Sequence, residues 1–234
     1  MTTTNWLVHR FTAGKWEEIP DVIISEVPLS IYLDGTFLIT LYCTPLNMEL
    51  LVLGYLFHTG HLASASDVAT LFLDPEKREA HVKLCFEKPA LFPGVVPPSE
   101  PPRILPVTVL YLAEILGQNR LFRETGAVHC GIIARREKIL FAAEDTGRFN
   151  VLDKITGYIL KEGVSTADLI LAFSGRLTRG VVERIARIGL RAVVSPAAPT
   201  SGGLEIASAE GITAIGFSRE KRFNVYTHEE RIST

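Results

Sequence analysis

The feature of this sequence that most constrains its fold is the alternation of short apolar runs with helical stretches after residue 150. A helical stretch over about residues 150–162 ends at Gly163. The apolar runs "DLILAF", "RAVVS" and "ITAIGF" then follow, separated by "LTRGVVERIARI" and "GGLEIASAE". Strands joined by helices pair in parallel through right-handed crossovers. This part of the chain is therefore predicted to be an α/β sandwich.

The first part of the chain has a different pattern, which predicts antiparallel hairpins. Gly14, Asp34-Gly35 and Asp74-Pro75 each lie between two strand-like runs, as hairpin turns do. "GAVHCGIIARREKILFAA" predicts a further hairpin and "VTVLYLAEILGQ" a helix. Thr44 followed by Pro45 is typical of a helix start, and this helix is expected to run to about His58.

A proline-rich segment separates the two patterns. Seven prolines lie between Pro89 and Pro106, which excludes a regular helix or a central strand. The chain is therefore divided into three predicted parts. These are a smaller β-rich α+β domain (residues 1–88), a linker (89–106) and an α/β domain (107–234).

Composition narrows the possible partners and the compartment. The 24 basic and 26 acidic residues give a net charge of -2, which disfavours nucleic-acid binding through bulk positive charge. The three cysteines are few, odd in number and far apart, as in proteins of a reducing compartment. The N-terminus lacks a signal-peptide core, and no apolar run is long enough to span a membrane. We expect a soluble cytoplasmic protein.

Polar segments follow the ends of four predicted strands: "EDTGR" (144–148), "SGR" (174–176), "SPAAPTS" (195–201) and "SREKR" (218–222). Ligands of parallel α/β sheets bind at the carboxyl ends of the strands, so these segments are expected to meet at one edge. Arginine side chains and helix N-termini both favour anions, phosphate above all. The candidate anion-binding residues from the first three segments are Gly147, Arg148, Ser174, Gly175, Arg176, Thr200 and Ser201.

Each segment also has a plain structural explanation. "SGR" is a common turn, Thr200 or Ser201 can simply cap a helix, and "SREKR" resembles a solvated surface run. Asp153 and Lys154 are interpreted as the solvated face of a helix. The four polar segments are nevertheless expected to lie at the same edge of the sheet, and this shared position favours a binding site there.

Several other chemistries are absent from the sequence. It contains no Walker loop, no G-x-G-x-x-G after a strand, no zinc-deaminase ligand set and no histidine spacing typical of a metal site, so we expect no bound metal. His129 and Cys130 are adjacent, and neighbours in a strand point to opposite faces, which disfavours a Cys–His nucleophile pair. His129 is expected near the site, and Asp145 could orient Arg148 or His129. A hydrolase that uses His129 and Asp145 is one hypothesis.

The order of motifs resembles that of the formate dehydrogenase accessory protein family (FdhD/NarQ). The matching segments are "EVPLSIYLDG", "TPLNMELLVLGYLFHTGHL", "TGAVHCG", "EDTGRFNVLDKITG", "SGRLTRGVVERIARIG", "SPAAPTS" and "GFSREKRFNVYTHEERI". They cover roughly residues 26–232. The resemblance implies a cytidine-deaminase-like three-layer C-terminal domain without zinc, and usually a homodimer.

The resemblance also implies a function. Members of that family are cytoplasmic sulfurtransferases that take sulfur from a cysteine desulfurase. They pass it to the molybdenum cofactor, bis(molybdopterin guanine dinucleotide), which the formate dehydrogenase catalytic subunit receives. The family's cofactor-binding segment matches Phe217, Ser218, Arg219, Glu220, Lys221 and Arg222.

One departure from the family affects the chemistry. The persulfide cysteine of the family lies in a C-G-x-C-G loop, whereas the corresponding proline-rich segment here contains no cysteine. Cys85, just before that segment, and Cys130 are the candidate sulfur carriers. The alternative is a chaperone that binds the cofactor or a guanine nucleotide without sulfur transfer.

Overall fold

The computed structural model describes residues 1–85 and 101–233. The chain begins with an isolated two-stranded antiparallel hairpin, followed by a four-stranded sheet of order β4-β3-β6-β5 that carries helix α1 on one face. All three predicted hairpins of this part are confirmed. The bounds are β1 Thr3–Thr12, β2 Lys15–Ile24, β3 Val27–Leu33, β4 Thr36–Cys43, α1 Met48–His58, β5 Val68–Asp74 and β6 Glu79–Leu84.

The remaining residues form a six-stranded sheet of order β12-β11-β10-β9-β7-β8. Strands β9, β10 and β11 are parallel, whereas β7 is antiparallel to both β8 and β9. The bounds are α2 Pro106–Gly117, α3 Arg120–Thr125, β7 His129–Arg135, β8 Lys138–Asp145, α4 Arg148–Glu162, β9 Leu169–Phe173, α5 Arg179–Arg187, β10 Ala192–Val194, α6 Ser201–Ala209, β11 Thr213–Arg219 and β12 Arg222–Val225.

This sheet is covered on both faces, which confirms the predicted three-layer α/β architecture with parallel strands. Helices α4, α5 and α6 pack on one face through a core that includes Val151, Ile185 and Ala207. Helices α2 and α3 pack on the other face, with Leu112 and Leu121 buried. Because both faces are buried, strand β9 is apolar throughout, as expected for a central parallel strand.

Helix α1 joins the N-terminal sheet to this sandwich by direct contact with α4. A Cβ atom at Gly54 would lie 1.8 Å from the carbonyl oxygen of Asp153, and one at Gly157 would lie 2.0 Å from that of Leu50. The two helix backbones therefore touch, and only glycine allows this approach. The division at residues 89–106 stays a prediction, since residues 86–100 lie outside the described residues.

Two expectations about α1 and α4 were wrong. Helix α1 begins at Met48 rather than Pro45, because Thr44 is engaged in tertiary contacts and donates its backbone N–H to Asp145 at 3.2 Å. Asp153 and Lys154 are buried rather than solvated, because α4 lies between the sheet and α1. Asp153 accepts a hydrogen bond from Arg184 at 3.2 Å and lies 3.8 Å from the His58 ring.

Two absences concern the parts of the chain that the structure describes. No helix in them has both the length and the apolar character needed to cross a membrane. Nor do they contain a group of three or more histidine, cysteine, aspartate or glutamate residues that could hold a metal ion.

Candidate functional site

The four polar segments lie at one edge of the six-stranded sheet, as the topology predicts. Strand β8 runs in the same direction as β9, since both are antiparallel to β7. Its carboxyl end therefore joins those of β9, β10 and β11. Hydrogen bonds connect the loops there. Buried Ser195 donates through Oγ to the carbonyl of Gly175 at 2.9 Å, and the Phe217 N–H donates to Ala197 at 3.2 Å.

A cavity of about 540 Å³ opens at this edge, between the loops and helices α2 and α3. Its volume lies in the range of small-molecule sites. One wall is a face of α2, one is Phe122 of α3, and the others are the loops after β9 and β10 and the turn between β11 and β12. The lining residues are Leu110, Ala113, Glu114, Leu116, Gly117, Phe122, Ser174, Pro196, Ser218, Arg219, Glu220 and Lys221.

The turn between β11 and β12 supplies the polar wall of the cavity. Arg219 ends β11 and Arg222 begins β12, with Glu220 and Lys221 as the two turn residues at φ 54° and 61°. A two-residue turn with both φ values positive suits the twist of a hairpin. The segment "SREKR" lies at the end of β11 as predicted, and it also forms a hairpin turn that was not predicted, because β12 pairs back onto β11. Arg219 and Lys221 thereby reach the cavity, whereas Arg222 is not among its lining residues.

Ser218 is the buried polar residue of this wall. It is 1 % exposed, and its hydroxyl has no hydrogen-bond partner in the described structure. Its backbone N–H donates to the carbonyl of Ser195 at 3.0 Å. The preceding residue, Phe217, adopts a φ of 51°, an uncommon conformation for a residue other than glycine. A buried unpaired hydroxyl is costly, so its position against a cavity indicates a place for a polar ligand atom.

His129 does not line the cavity, but its ring lies next to Ser174, which does. Its Nδ1 is 3.4 Å from the Ser174 hydroxyl, which also accepts a hydrogen bond from the Cys130 N–H at 2.9 Å. Burial lowers the pKa of His129, and the positive charge of Arg148 lowers it further, while Asp145 opposes the shift. The lowered pKa favours the neutral imidazole, which can accept or donate a hydrogen bond. The structure thus brings His129 next to Ser174, whereas the Arg148 guanidinium lies over the Phe149 ring, 5.0 Å from its centroid, and does not line the cavity.

Cys130 lies on the opposite side of the sheet from the His129 ring, as strand geometry predicts. It is fully buried, and its Sγ lies 3.6 Å from an oxygen of Glu144. Burial raises the pKa of this thiol, and the charge and hydrogen bond of Glu144 raise it further. A sulfur carrier needs an accessible thiolate, so this environment disfavours Cys130 in that role.

Glu144 was not selected from the sequence, although it supports the cavity. Its carboxylate accepts hydrogen bonds from the backbone N–H groups of Phe122, at 3.0 Å, and Leu121, at 3.5 Å. These are free donors of the first turn of α3, which a carboxylate satisfies well. Glu144 therefore holds the helix that carries the Phe122 wall. The only sequence signal for it was its position in "EDTGR", one of the four polar segments at the ends of predicted strands.

Cys85 is exposed, whereas Cys43 and Cys130 are buried. Cys85 directly follows β6, and its Sγ lies 3.4 Å from the carbonyl oxygen of Ser66. Cys85 does not line the cavity. Burial raises the pKa of Cys43 to about 11, with a further contribution from Asp145. Among the three thiols, only Cys85 is accessible to another protein.

Several predicted site residues have structural roles. Asp145 is buried and lies 2.6 Å from the Lys154 ammonium; it also accepts the Gly147 N–H at 2.9 Å at the start of α4. Thr200 caps α6 by accepting the Gly203 N–H at 3.3 Å. Gly175 is buried, whereas Arg176 and Ser201 are exposed and do not line the cavity. A ligand role for these residues stays a prediction.

Comparisons with known proteins agree with this architecture. The FdhD/NarQ family model matches residues 24–91 and 95–233. The chain is 32% identical to the sulfur carrier protein FdhD of Bacillus subtilis (96% of this chain and 95% of that protein). It is 31% identical to the same-named protein of Shouchella clausii (98% and 96%). The crystal structure of a protein described as a formate dehydrogenase accessory protein, from Desulfotalea psychrophila, superposes with a TM-score of 0.88 at 25% identity over 100% of both chains. The chain belongs to the FdhD/NarQ family.

Proposed function

We propose that this protein is a cytoplasmic accessory protein of formate dehydrogenase that binds the molybdenum cofactor through a guanine nucleotide end and delivers sulfur to it. The names of its relatives, sulfur carrier protein and formate dehydrogenase accessory protein, support this role. The proposed partners are a cysteine desulfurase as sulfur donor, the catalytic subunit of formate dehydrogenase as recipient, and a second copy of the chain.

The observation that carries the proposal is the cavity with the unpaired Ser218 hydroxyl. A nucleotide offers a planar base and a charged diphosphate. The apolar walls of the cavity suit the base, while Arg219, Lys221 and the Ser218 hydroxyl are donors of the kind that diphosphate oxygens accept. The residues present therefore fit one nucleotide end of bis(molybdopterin guanine dinucleotide), which is the substrate of the proposed reaction. In the proposed reaction, the delivered sulfur becomes a ligand of the molybdenum in that cofactor.

For sulfur transfer, Cys85 is the proposed carrier because it is the exposed thiol. Its thiolate attacks the terminal sulfur of a desulfurase persulfide, the sulfur–sulfur bond of the donor breaks, and the donor cysteine leaves as a thiolate. Cys85 then holds one additional sulfur as a persulfide. Neither buried cysteine offers this access.

Calorimetry with GDP tests the cofactor site. Arg219→Ala together with Ser218→Ala is expected to weaken GDP binding by at least about 100-fold, because hydrogen bonds to charged groups contribute about 1.5–3 kcal/mol each and two are removed. The matched control is Arg135→Ala with Arg136→Ala, two exposed residues where β7 ends and the β7–β8 turn begins, at the opposite ends of the strands from the cavity. Equal GDP affinity in wild type and in the cavity variant would refute the site.

Mass spectrometry tests the sulfur chemistry. After incubation with a cysteine desulfurase and cysteine, Cys85 is expected to gain about 32 Da, the mass of one sulfur. Cys85→Ser should remove the added mass from the protein. Among the described residues, no cysteine lines the cavity, which favours the second candidate function, a cofactor-binding chaperone without sulfur transfer. GDP binding without a persulfide on any cysteine would establish that candidate instead.

A further inference from the structure

The wall that helix α2 presents to the cavity carries a single charged residue. Leu110, Ala113, Glu114 and Gly117 follow the i, i+3, i+4, i+7 spacing of one helix face, and all four line the cavity. Ala113 and Gly117 are small, and a Cβ atom at Gly117 would meet nothing within 4 Å. The Glu114 carboxylate therefore stands on an otherwise apolar wall with open space beside it.

The charges of the cavity are divided between its walls. Arg219 and Lys221 lie on the hairpin wall, together with the second carboxylate, Glu220, which lies between them in sequence. Glu114 lies on the helix wall. Its hydrogen bond in the described structure is a long one, 3.4 Å, from the Gln118 amide. Glu114 thus keeps the capacity to accept hydrogen bonds from a ligand.

A carboxylate accepts two hydrogen bonds in parallel from adjacent donors. The 2-amino-4-oxopyrimidine edge presents such a pair, a ring N–H and an exocyclic NH₂, and it occurs both in guanine and in pterin rings. Adenine places an unprotonated ring nitrogen at the corresponding position, which a carboxylate repels. Phe122 and Pro196 supply the apolar surface that a flat ring needs.

We infer that Glu114 is the specificity-determining residue of the cavity, which recognises the 2-amino-4-oxopyrimidine edge of a bound guanine or pterin. This inference rests on the proposed function and names the group by which the site selects its ligand. The ring lies towards α2, and the phosphates of a nucleotide lie towards Arg219 and Lys221.

Calorimetry with GDP, IDP and ADP tests the inference on the full chain. The wild type should bind GDP best, IDP less well because it lacks the exocyclic amine, and ADP weakly. Glu114→Gln should lower GDP affinity roughly 10- to 100-fold, the range expected for loss of a bidentate contact to a base, and leave ADP affinity unchanged. The control is Glu124→Gln, an exposed carboxylate of α3 that does not line the cavity.

The other variants separate this inference from the proposed function. Arg219→Ala should lower GDP and ADP affinity by the same factor, because it acts on the phosphates. Competition with 6-hydroxymethylpterin identifies the ring. If the pterin displaces GDP from the wild type but not from Glu114→Gln, the pterin binds Glu114 through the same edge. If the pterin does not displace GDP from the wild type, Glu114 recognises guanine alone. An unchanged GDP-to-ADP ratio in Glu114→Gln, with Arg219→Ala still weakening both, overturns the inference alone. No GDP binding by the wild type overturns the proposed function and the inference together.

Discussion

The buried ion pair between Lys154 and Asp145 leads to a stability prediction that also tests whether Asp145 is structural. Both side chains are 0% exposed, and the ammonium nitrogen lies 2.6 Å from a carboxylate oxygen. Lys154 also donates to the carbonyls of Thr44 at 3.2 Å and Glu144 at 3.1 Å. The pair therefore joins the loop before α1 to the end of β8 and the middle of α4.

The perturbation is Lys154→Met, which keeps the length of the side chain and removes its charge. Asp145 would remain buried with neutral donors only, among them the N–H groups of Thr44 and Gly147 and the amide of Asn150. Removal of one partner from a buried ion pair typically costs about 3–5 kcal/mol, because the other charge stays buried without compensation. We expect a loss of this size in the free energy of unfolding.

Urea unfolding followed by circular dichroism measures this loss, with Lys161→Met as the matched control. Lys161 lies on the same helix and pairs with Glu49 of α1 at 2.8 Å, but the two side chains are 43% and 42% exposed. An exposed pair contributes about 0–1 kcal/mol, so this control should change stability little. Equal losses in the two variants would contradict the reasoning from burial.

The double variant Asp145→Asn with Lys154→Met completes a mutant cycle. If the charges stabilise each other, the double variant should be more stable than the sum of the single losses predicts, by about 1–3 kcal/mol. Additive losses would show that Asp145 does not depend on Lys154, and the hypothesis of a catalytic Asp145 would regain support.

Three further predictions concern packing, the cavity wall and pH. Gly157→Ala should lower the unfolding free energy by more than about 3 kcal/mol in the same assay, because the new methyl group would overlap the Leu50 carbonyl at 2.0 Å and the backbone must move. Glu144→Gln should weaken GDP binding about tenfold with little loss of stability, since a neutral side chain holds the Phe122 N–H less firmly. Burial lowers the pKa of His58 from 6.5 to about 3, so its contribution to stability is present above pH 6.5 and is lost as the pH falls towards 3. Urea unfolding of wild type and His58→Asn from pH 7 to 4.5 should show a difference that narrows by up to about 1.4 kcal/mol per pH unit; a constant difference would contradict a neutral buried imidazole.

The location of the site at the carboxyl ends of the strands could be predicted from the sequence, because this location depends only on the direction in which each strand runs. Parallel strands joined by helices place their carboxyl ends together, so "SGR", "SPAAPTS" and "SREKR" were expected to meet without knowledge of any side-chain position. The β7–β8 hairpin does not change this arrangement. Because β7 is antiparallel to both β8 and β9, β8 runs in the same direction as β9 and ends at the same side of the sheet. Ser174, Ser218, Arg219, Glu220 and Lys221 all line the cavity as a result.

The buried charges could not be predicted, because local pattern does not reveal what packs on the outer face of a helix. Helix α4 reads as amphipathic, with Asp153 and Lys154 on its polar side. That side meets α1, whose approach depends on Gly54 and Gly157, about 100 residues apart in the chain. The N-terminus of α1 was misplaced for a related reason. Thr44 has the residue type of a helix cap, but its backbone and side chain are used by Asp145, Lys154 and Thr146.

The chemical character of the site was predicted only in part. Selection of polar segments at strand ends found the arginines and therefore indicated an anion. The segment of α2 was predicted only as a helix and given no part in the site, so Glu114 was overlooked, even though it lies among small residues at helical spacing. A cavity with cations on one wall and a carboxylate on the other suits a ligand that is negative at one end and a hydrogen-bond donor at the other. A guanine nucleotide has this polarity and inorganic phosphate does not, so weaker binding of phosphate than of GDP is the first consequence that distinguishes a nucleotide site from a general anion site.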